Sequence, residues 1–276
     1  MEPKNDLKLA VIIDADNVPF ANVKGLMEEI AKYGVPTFKR IYGDWTRPNL
    51  AGWKSVLLES AITPIQQYGY TSGKNATDSA MIIDAMDILY TGRVDGFCIV
   101  SSDSDFTRLA IRLRESGMKV FGFGEKKTPD PFIVACDKFI YLEILKTAPL
   151  PESAQTQPLA KNKMLVPDGI QKVDHETVSL IRSSVDDIAD EDEWAFLGDV
   201  GSLLIKKKPD FDPRNYGFDK LTPLIKSLKD YFEIDERVTD KSFIKLVYVK
   251  SKKNAAGKQK INNPKKPMDK IFSDQP

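Results

Sequence analysis

Five aspartates are the residues of this chain best suited to chemistry. Asp14 and Asp16 follow the apolar run Leu9-Ala10-Val11-Ile12-Ile13, Asp103 and Asp105 follow Phe97-Cys98-Ile99-Val100, and Asp78 opens a helix-like stretch that ends at Tyr90. In an open parallel sheet the carboxyl ends of the strands share one edge, so acids placed there converge on a single crevice. Carboxylates crowded together repel each other unless a cation or a proton holds them. The expected chemistry is therefore a divalent metal site acting on phosphate groups. Each acid also has a plainer use as a helix cap: Asp16 or Asn17 serves as well as Asp14 after the first strand, and Ser101-Ser102-Asp103-Ser104-Asp105 is rich in capping residues. One cap needs one such residue, and the sequence supplies several. Asp84 and Asp87 continue the helix that Asp78 opens; helical rotation turns Asp84 away from Asp78, so Asp84 is expected behind the cluster and Asp87 at the surface.

These acids are positioned by an alternation of strand-like and helix-like segments across residues 8 to 145. Apolar, β-branched runs at 9–13, 35–41, 62–66, 97–100 and 118–123 read as strands, with helix-length segments near 20–33, 49–60, 77–90 and 105–116. That order predicts a doubly wound α/β domain with a mainly parallel sheet. From 148 to 172 the chain turns rich in Pro, Gln, Ser and Ala, which reads as a linker. Helical periodicity then resumes over 173–249 and ends in two strand-like pieces, 232–234 and 244–249, the pattern of a small winged helix-turn-helix. Residues 250–276 carry eight basic and two acidic groups and read as a basic, disordered tail suited to a polyanion.

The segments LAVIIDADN, RIYGDW, KNATDSAMIIDAMD and IVSSDSDF followed by VFGFG resemble the NYN domain, a branch of the PIN-like nucleases, in its bacterial LabA-like form, over roughly residues 7–146. The resemblance implies a Rossmann-like PIN fold for residues 1–147 and RNA cleavage dependent on Mg²⁺ or Mn²⁺. Matched motif by motif, it assigns the metal and the catalysis to Asp14, Asp78, Asp103 and Asp105, and a supporting or substrate-facing role to Asn17; Asp16, Asp84 and Ser102 are expected as further supporting residues beside them. Ser102 stands where many relatives have Gly, and the resemblance implies that its extra Cβ narrows the approach to the metal. Phosphodiester hydrolysis is the reaction implied, with water activated beside the cation. The sole histidine, His175, lies beyond the linker and is expected to be a solvated surface residue. Arg47, Lys54, Lys74 and Arg108 flank the acidic segments as candidate phosphate contacts. Trp45, Trp53, Tyr68 and Tyr70 are candidate base-stacking rings, Trp45 foremost because GDWTRP reads as a loop, although core burial is expected for at least two of the four.

The stretch EWAFLGDVGSLLIKKKPDFDPRNYGFDKLTPLIKSLKDYFEID resembles a LOTUS, or OST-HTH, domain, placed at 173–249. The resemblance implies binding of single-stranded or structured RNA and, in some relatives, of a protein partner. Lys206, Lys207, Lys208 and Arg214 are the expected phosphate contacts, joined by Lys220, Lys226 and Lys229. Residues 149–249 nonetheless hold 14 basic against 19 acidic groups, so these cations have acids enough to pair with.

At 276 residues with 42% hydrophobic content the chain has the makeup of folded domains rather than of a fibrous or disordered protein. Two cysteines, Cys98 and Cys136, give neither a disulfide framework nor metal-ligand spacing and are expected to be small buried hydrophobes. No apolar run nears the ~20 residues that span a bilayer, so no membrane partner is expected and the cytoplasm is the default compartment. Oligomeric state is not legible. The leading expectation is a metal-dependent ribonuclease joined to an RNA-binding module. A non-catalytic RNA-binding regulator is the alternative. A third reading starts from Asp14-Ala15-Asp16-Asn17-Val18, which fits the DxDx[TV] pattern of haloacid-dehalogenase-like phosphatases; the later acids of such enzymes sit on separate strands rather than in one SSDSDF loop.

Overall fold

A computed structural model describes residues 6–68, 76–145, 171–239 and 242–252. The first domain is a six-stranded sheet, all parallel, formed by β1 (Lys8–Asp14), β2 (Val35–Gly43), β3 (Thr63–Gln66), β4 (Gly96–Val100), β5 (Lys119–Gly124) and β6 (Lys138–Tyr141). Helices α1 (Val23–Ile30), α2 (Trp53–Ser60), α3 (Ala76–Tyr90), α4 (Thr107–Glu115) and α5 (Asp130–Ala135) connect them. The strand order is β3-β2-β1-β4-β5-β6. The chain winds outward one way from β1 and, after α3, the other way from β4, so the crevice between the carboxyl ends of β1 and β4 is the topological switch point where such sheets bind ligands.

Both faces of the sheet are covered, and the alternation of β1 shows how. Leu9, Val11 and Ile13 enter one core with Val23, Leu26 and Ile30 of α1 and Trp53 of α2; Ala10 and Ile12 enter the other with α3, α4 and Phe132 of α5. Burial on both sides is why the strands read as continuous apolar runs rather than alternating ones. Cys98 and Cys136 are buried in these two cores as free thiols. Two elements escaped the sequence reading: α5 spans only six residues and β6 only four, too short to impose a period. The first helical segment also begins as a 3-10 turn, Phe20–Asn22, and ends at Ile30.

The second domain comprises α6 (His175–Asp186), β7 (Ala195–Phe196), α7 (Leu197–Lys207), α8 (Leu221–Ser227), β8 (Phe232–Thr239) and β9 (Ser242–Ser251), with an antiparallel sheet in the order β7-β9-β8. Its own core gathers Ile181, Val185, Val200, Leu204, Leu224, Phe232 and Val249. The loop between α7 and α8 docks on the first domain. The Pro209 carbonyl accepts the Phe139 N–H of β6 at 2.9 Å, and the Tyr141 hydroxyl donates to Asp210 at 2.9 Å. Arg214 forks onto Glu29 at the end of α1, at 2.8 and 2.9 Å, while also donating to Asp212. β6 is an edge strand, and this loop covers it, removing a site for stray strand pairing. The linker from 148 and the basic tail lie almost wholly outside the described residues, as do Lys74 and Tyr70. Among the described residues no helix is long and apolar enough to cross a membrane.

Candidate metal centre

Asp14 is the last residue of β1 and is buried at 1% exposure. Its carboxylate accepts three hydrogen bonds: Oδ1 accepts the Asp16 N–H at 3.0 Å, and Oδ2 accepts the Asn17 amide and the Ser101 hydroxyl, the latter at 3.0 Å. Burial raises its pKa above the ordinary carboxylate value, and these three hydrogen bonds oppose the rise. Across the crevice, the chain leaving β4 turns through Ser104–Phe106 with Phe106 buried as its anchor. Asp103 caps that turn, Oδ1 accepting the Asp105 N–H at 2.9 Å, while its own N–H donates to Ser101 Oγ at 3.1 Å. Capping and site-building therefore coincide in Asp103, since its second oxygen makes no hydrogen bond among the described residues.

Asp78 comes to the same place from the first turn of α3. Asp78, Asp103 and Asp105 each offer a carboxylate oxygen, and the three oxygens lie within 4.8 Å of one another. Such crowding has a measurable consequence: the Asp78 carboxyl is pushed up to about 6, by burial first and then by the negative charges of Asp14, Asp103, Asp105 and Asp16. The structure thus brings three of the four expected metal acids into one group. Asp14 stands beside them, bonded to Asn17 and Ser101 instead.

Other expected residues are placed elsewhere. Asp16 is exposed and contributes its backbone N–H; Asn17 orients Asp14. Asp84 does not back the acidic group but bonds Arg40 and Tyr42 of β2, because its turn of α3 faces that strand. Asp87 is exposed, as its helical position implies. Ser102 is buried, its hydroxyl accepting the Glu125 N–H at 2.8 Å, so it ties the β4 turn to the end of β5 and not to the acids. The serine that matters is Ser101, which links Asp14 to the Asp103 backbone. The sequence reading missed it, though the parallel register Ile13↔Val100 puts the next pair, Asp14 and Ser101, side by side.

Trp45 is held rather than presented. Its indole N–H donates to the Ile65 carbonyl at 3.0 Å and its ring packs on the core, so it anchors the loop; Trp53 is buried outright. Tyr68 is 57% exposed. Arg47 is half exposed and lies 3.4 Å from Asp44. The Arg108 and Lys54 side chains are exposed and form no hydrogen bond or ion pair among the described residues. In the second domain, Lys206 is exposed and Lys208 half-buried, but Lys207 bonds Asp187 at 2.6 Å and Ser183 at 3.1 Å, and Arg214 is consumed by Glu29 and Asp212. The expected lysine-arginine phosphate face is therefore broken up by acids of the chain itself. His175, the first residue of α6, is exposed.

An acidic group at the switch point of a six-stranded parallel sheet, followed by a three-helix domain with a terminal hairpin, agrees with two family models: NYN over residues 8–143 and OST-HTH/LOTUS over residues 169–244. The chain carries an NYN domain followed by a LOTUS domain. The NYN domain belongs to the PIN-like nuclease superfamily, and the LOTUS domain is of an RNA-binding kind. Among solved structures, a protein of unknown function from Vibrio parahaemolyticus is similar at 20% identity over 50% of this chain and 94% of its own, with a TM-score of 0.43. An uncharacterized protein from Nitrosomonas europaea is 30% identical over 40% of this chain and 97% of its own, with a TM-score of 0.29. A fragment of a Chromobacterium violaceum protein is 26% identical over 33% of this chain and 97% of its own, with a TM-score of 0.26. No curated protein matches the chain.

Proposed function

We infer that this chain is a metal-dependent ribonuclease whose NYN domain hydrolyses RNA phosphodiesters and whose LOTUS domain retains the RNA. The observation that carries this reading is the convergence of Asp78, Asp103 and Asp105 within 4.8 Å at the switch-point crevice. The donor set fits Mg²⁺ or Mn²⁺: all three groups are carboxylate oxygens, and hard divalent cations take oxygen ligands and keep several waters, so three protein ligands suffice. A bound cation would supply neutralisation of phosphate charge and a lowered pKa for the attacking water.

The chain's own residues do the rest. Ser101 and Asn17 fix the Asp14 carboxylate at the rim, and the capping bond from the Asp105 N–H fixes Asp103. Burial and the neighbouring acids push the Asp78 carboxyl up to about 6, a cost that a bound cation would relieve. Arg108, exposed in the first turn of α4 just beyond Asp105, is the cation proposed to meet the RNA backbone. The test is cleavage of end-labelled single-stranded RNA by the full chain with Mg²⁺ or Mn²⁺, beside EDTA and beside Asp78→Asn and Asp103→Asn. Cleavage that requires the ion and vanishes in both variants is the expected result. RNA that is bound yet stays intact under every condition would favour the second reading, a non-catalytic regulator, which the hydrogen bonding of buried Asp14 to Asp16, Asn17 and Ser101 supports.

A further inference from the structure

Helix α3 carries Asp78 into the crevice, so whatever sets its place along its own axis decides whether that carboxylate meets Asp103 and Asp105. Met81, Ala85 and Ile88 of α3 are buried against the sheet with Ala10, Ile12 and Tyr42. Apolar packing of this kind is non-directional, and a slip of one residue shifts a helix by about 1.5 Å. A ligating group has to be held to within about 0.5 Å. Three carboxylates within 4.8 Å also repel one another until a cation joins them, and that force pushes α3 back from the crevice.

Asp84 supplies a directional hold. Its Oδ1 accepts from Arg40 Nη1 and its Oδ2 from the Tyr42 hydroxyl, so each carboxylate oxygen has its own donor on β2. Arg40 and Tyr42 alternate onto the same face of the strand, where Tyr42 packs with α3, and the Arg40 guanidinium lies 5.6 Å from the ring centre of Phe38 on that face. Tyr42 is fully buried, while Arg40 and Asp84 are half-buried. Tyr42 also belongs to the rim of the crevice: it is the register partner of Asp14, and its carbonyl accepts the Ala15 N–H at 3.0 Å. Six residues separate Asp84 from Asp78, about 9 Å along the helix and about 240° around it. The two carboxylates thus leave α3 on different sides, Asp84 toward β2 and Asp78 toward the turn after β4, and fixing the first fixes both the rotation and the slide of the second. We propose that Asp84, clamped by Arg40 and Tyr42, is a positioning residue that acts through α3 to hold Asp78 beside Asp103 and Asp105 for the cation. This role rests on the reading of the acidic group as a metal centre.

The test is Mn²⁺ binding to the full chain, followed by the electron paramagnetic resonance of the free ion at a temperature well below each variant's melting midpoint, so that only folded protein is read. Tyr42→Phe removes one donor and no charge, and is expected to weaken Mn²⁺ binding about threefold. Arg40→Met removes the other donor together with a positive charge. Loss of a cation near an acidic group should by itself tighten Mn²⁺ binding. The clamp requires the opposite, a weakening of about three- to tenfold. Ile88→Val, which thins the apolar packing of the same helix, is expected to lower stability while leaving Mn²⁺ affinity within about twofold of the parent. Parental or tighter binding in both Tyr42→Phe and Arg40→Met would overturn the positioning role while leaving the metal centre in place. A loss in Ile88→Val equal to that in Tyr42→Phe would mean that any loosening of α3 suffices, and would overturn it too. A parent that binds no Mn²⁺, or whose binding is undiminished by Asp78→Asn, would remove the metal-centre reading itself and the positioning role with it.

Discussion

Arg214→Ala should loosen the whole molecule, because Arg214 closes the most buried ion pair between the two domains. Glu29 is 3% exposed and takes both arms of the Arg214 fork, at 2.8 and 2.9 Å, together with Lys32 and the Tyr33 hydroxyl. Burial would raise the Glu29 carboxyl; the hydrogen bond from Arg214, then those from Lys32 and Tyr33, outweigh it and hold the group at about 2 against an ordinary 4.5. At about 1.4 kcal/mol per pH unit, that depression corresponds to roughly 3 kcal/mol of stability at neutral pH. Breaking a buried pair by deleting one partner costs a similar ~3–5 kcal/mol. The depressed pKa sets the pH window: the contribution is complete above 4.5 and is lost as pH falls through about 2. A double-mutant cycle of Glu29→Gln and Arg214→Ala, followed by urea unfolding at pH 7, should give a coupling of about 2–3 kcal/mol. Arg214→Ala alone should lower the melting temperature by several degrees. A coupling below about 0.5 kcal/mol would refute the reasoning, since it would mean the fork is no stronger than an exposed pair.

The acidic group makes an opposite prediction. Asp78→Asn should abolish metal-dependent cleavage yet stabilise the metal-free chain at pH 7.5 by about 1–2 kcal/mol once solvent screening is allowed for, because the raised Asp78 pKa is a penalty that grows as pH climbs from 3.8 through about 6; thermal melts at pH 5 and 7.5 check it. Mg²⁺ or Mn²⁺ should raise the melting temperature of the parent and leave that of Asp78→Asn unmoved. Ser101→Ala should cost about 1–3 kcal/mol and most of the cleavage, since it leaves the Asp103 N–H and one bond of the buried Asp14 unmet; denaturant unfolding and the cleavage assay read the two effects separately. Trp45→Phe should lower stability through the lost bond to Ile65 while leaving RNA affinity unchanged, as anisotropy would show.

The parallel sheet was legible because burial on both faces leaves strands as unbroken apolar runs, and because the acids after β1 and β4 mark their carboxyl ends. Its last two elements were not, for α5 and β6 are too short to carry a period and derive their order from tertiary contacts, including Pro209 on Phe139. The positions of Asp78, Asp103 and Asp105 could be read from local order alone, each standing at the start of a helix. The separation of Asp14 from that trio could not, because it depends on a hydrogen bond from Ser101, 87 residues away, that only the sheet register creates. The same limit misdirected the cations. Arg214 lies in a basic-looking stretch, yet its partner Glu29 is 185 residues distant, and nothing local announces a buried acid at the end of α1.

That distant pair changes how the two domains can cooperate. A tether alone keeps an RNA-binding module near a crevice only through effective concentration, with a spread of distances set by its length. Here three kinds of contact fix the LOTUS domain against the first domain: a backbone bond along β6, the Tyr141–Asp210 bond and the Arg214 fork on α1. Their placement is one-sided. β6 lies two strands beyond β4, about 10 Å at ordinary strand spacing, and Glu29 ends a helix that begins after β1, so the docked loop keeps clear of the crevice where Asp78, Asp103 and Asp105 meet. The dock therefore leaves the acids open to a long polyanion while holding the second domain at one offset from them. RNA engaged by both would be presented in a constrained register, set by contacts of α1 and β6 and not by the length of the linker.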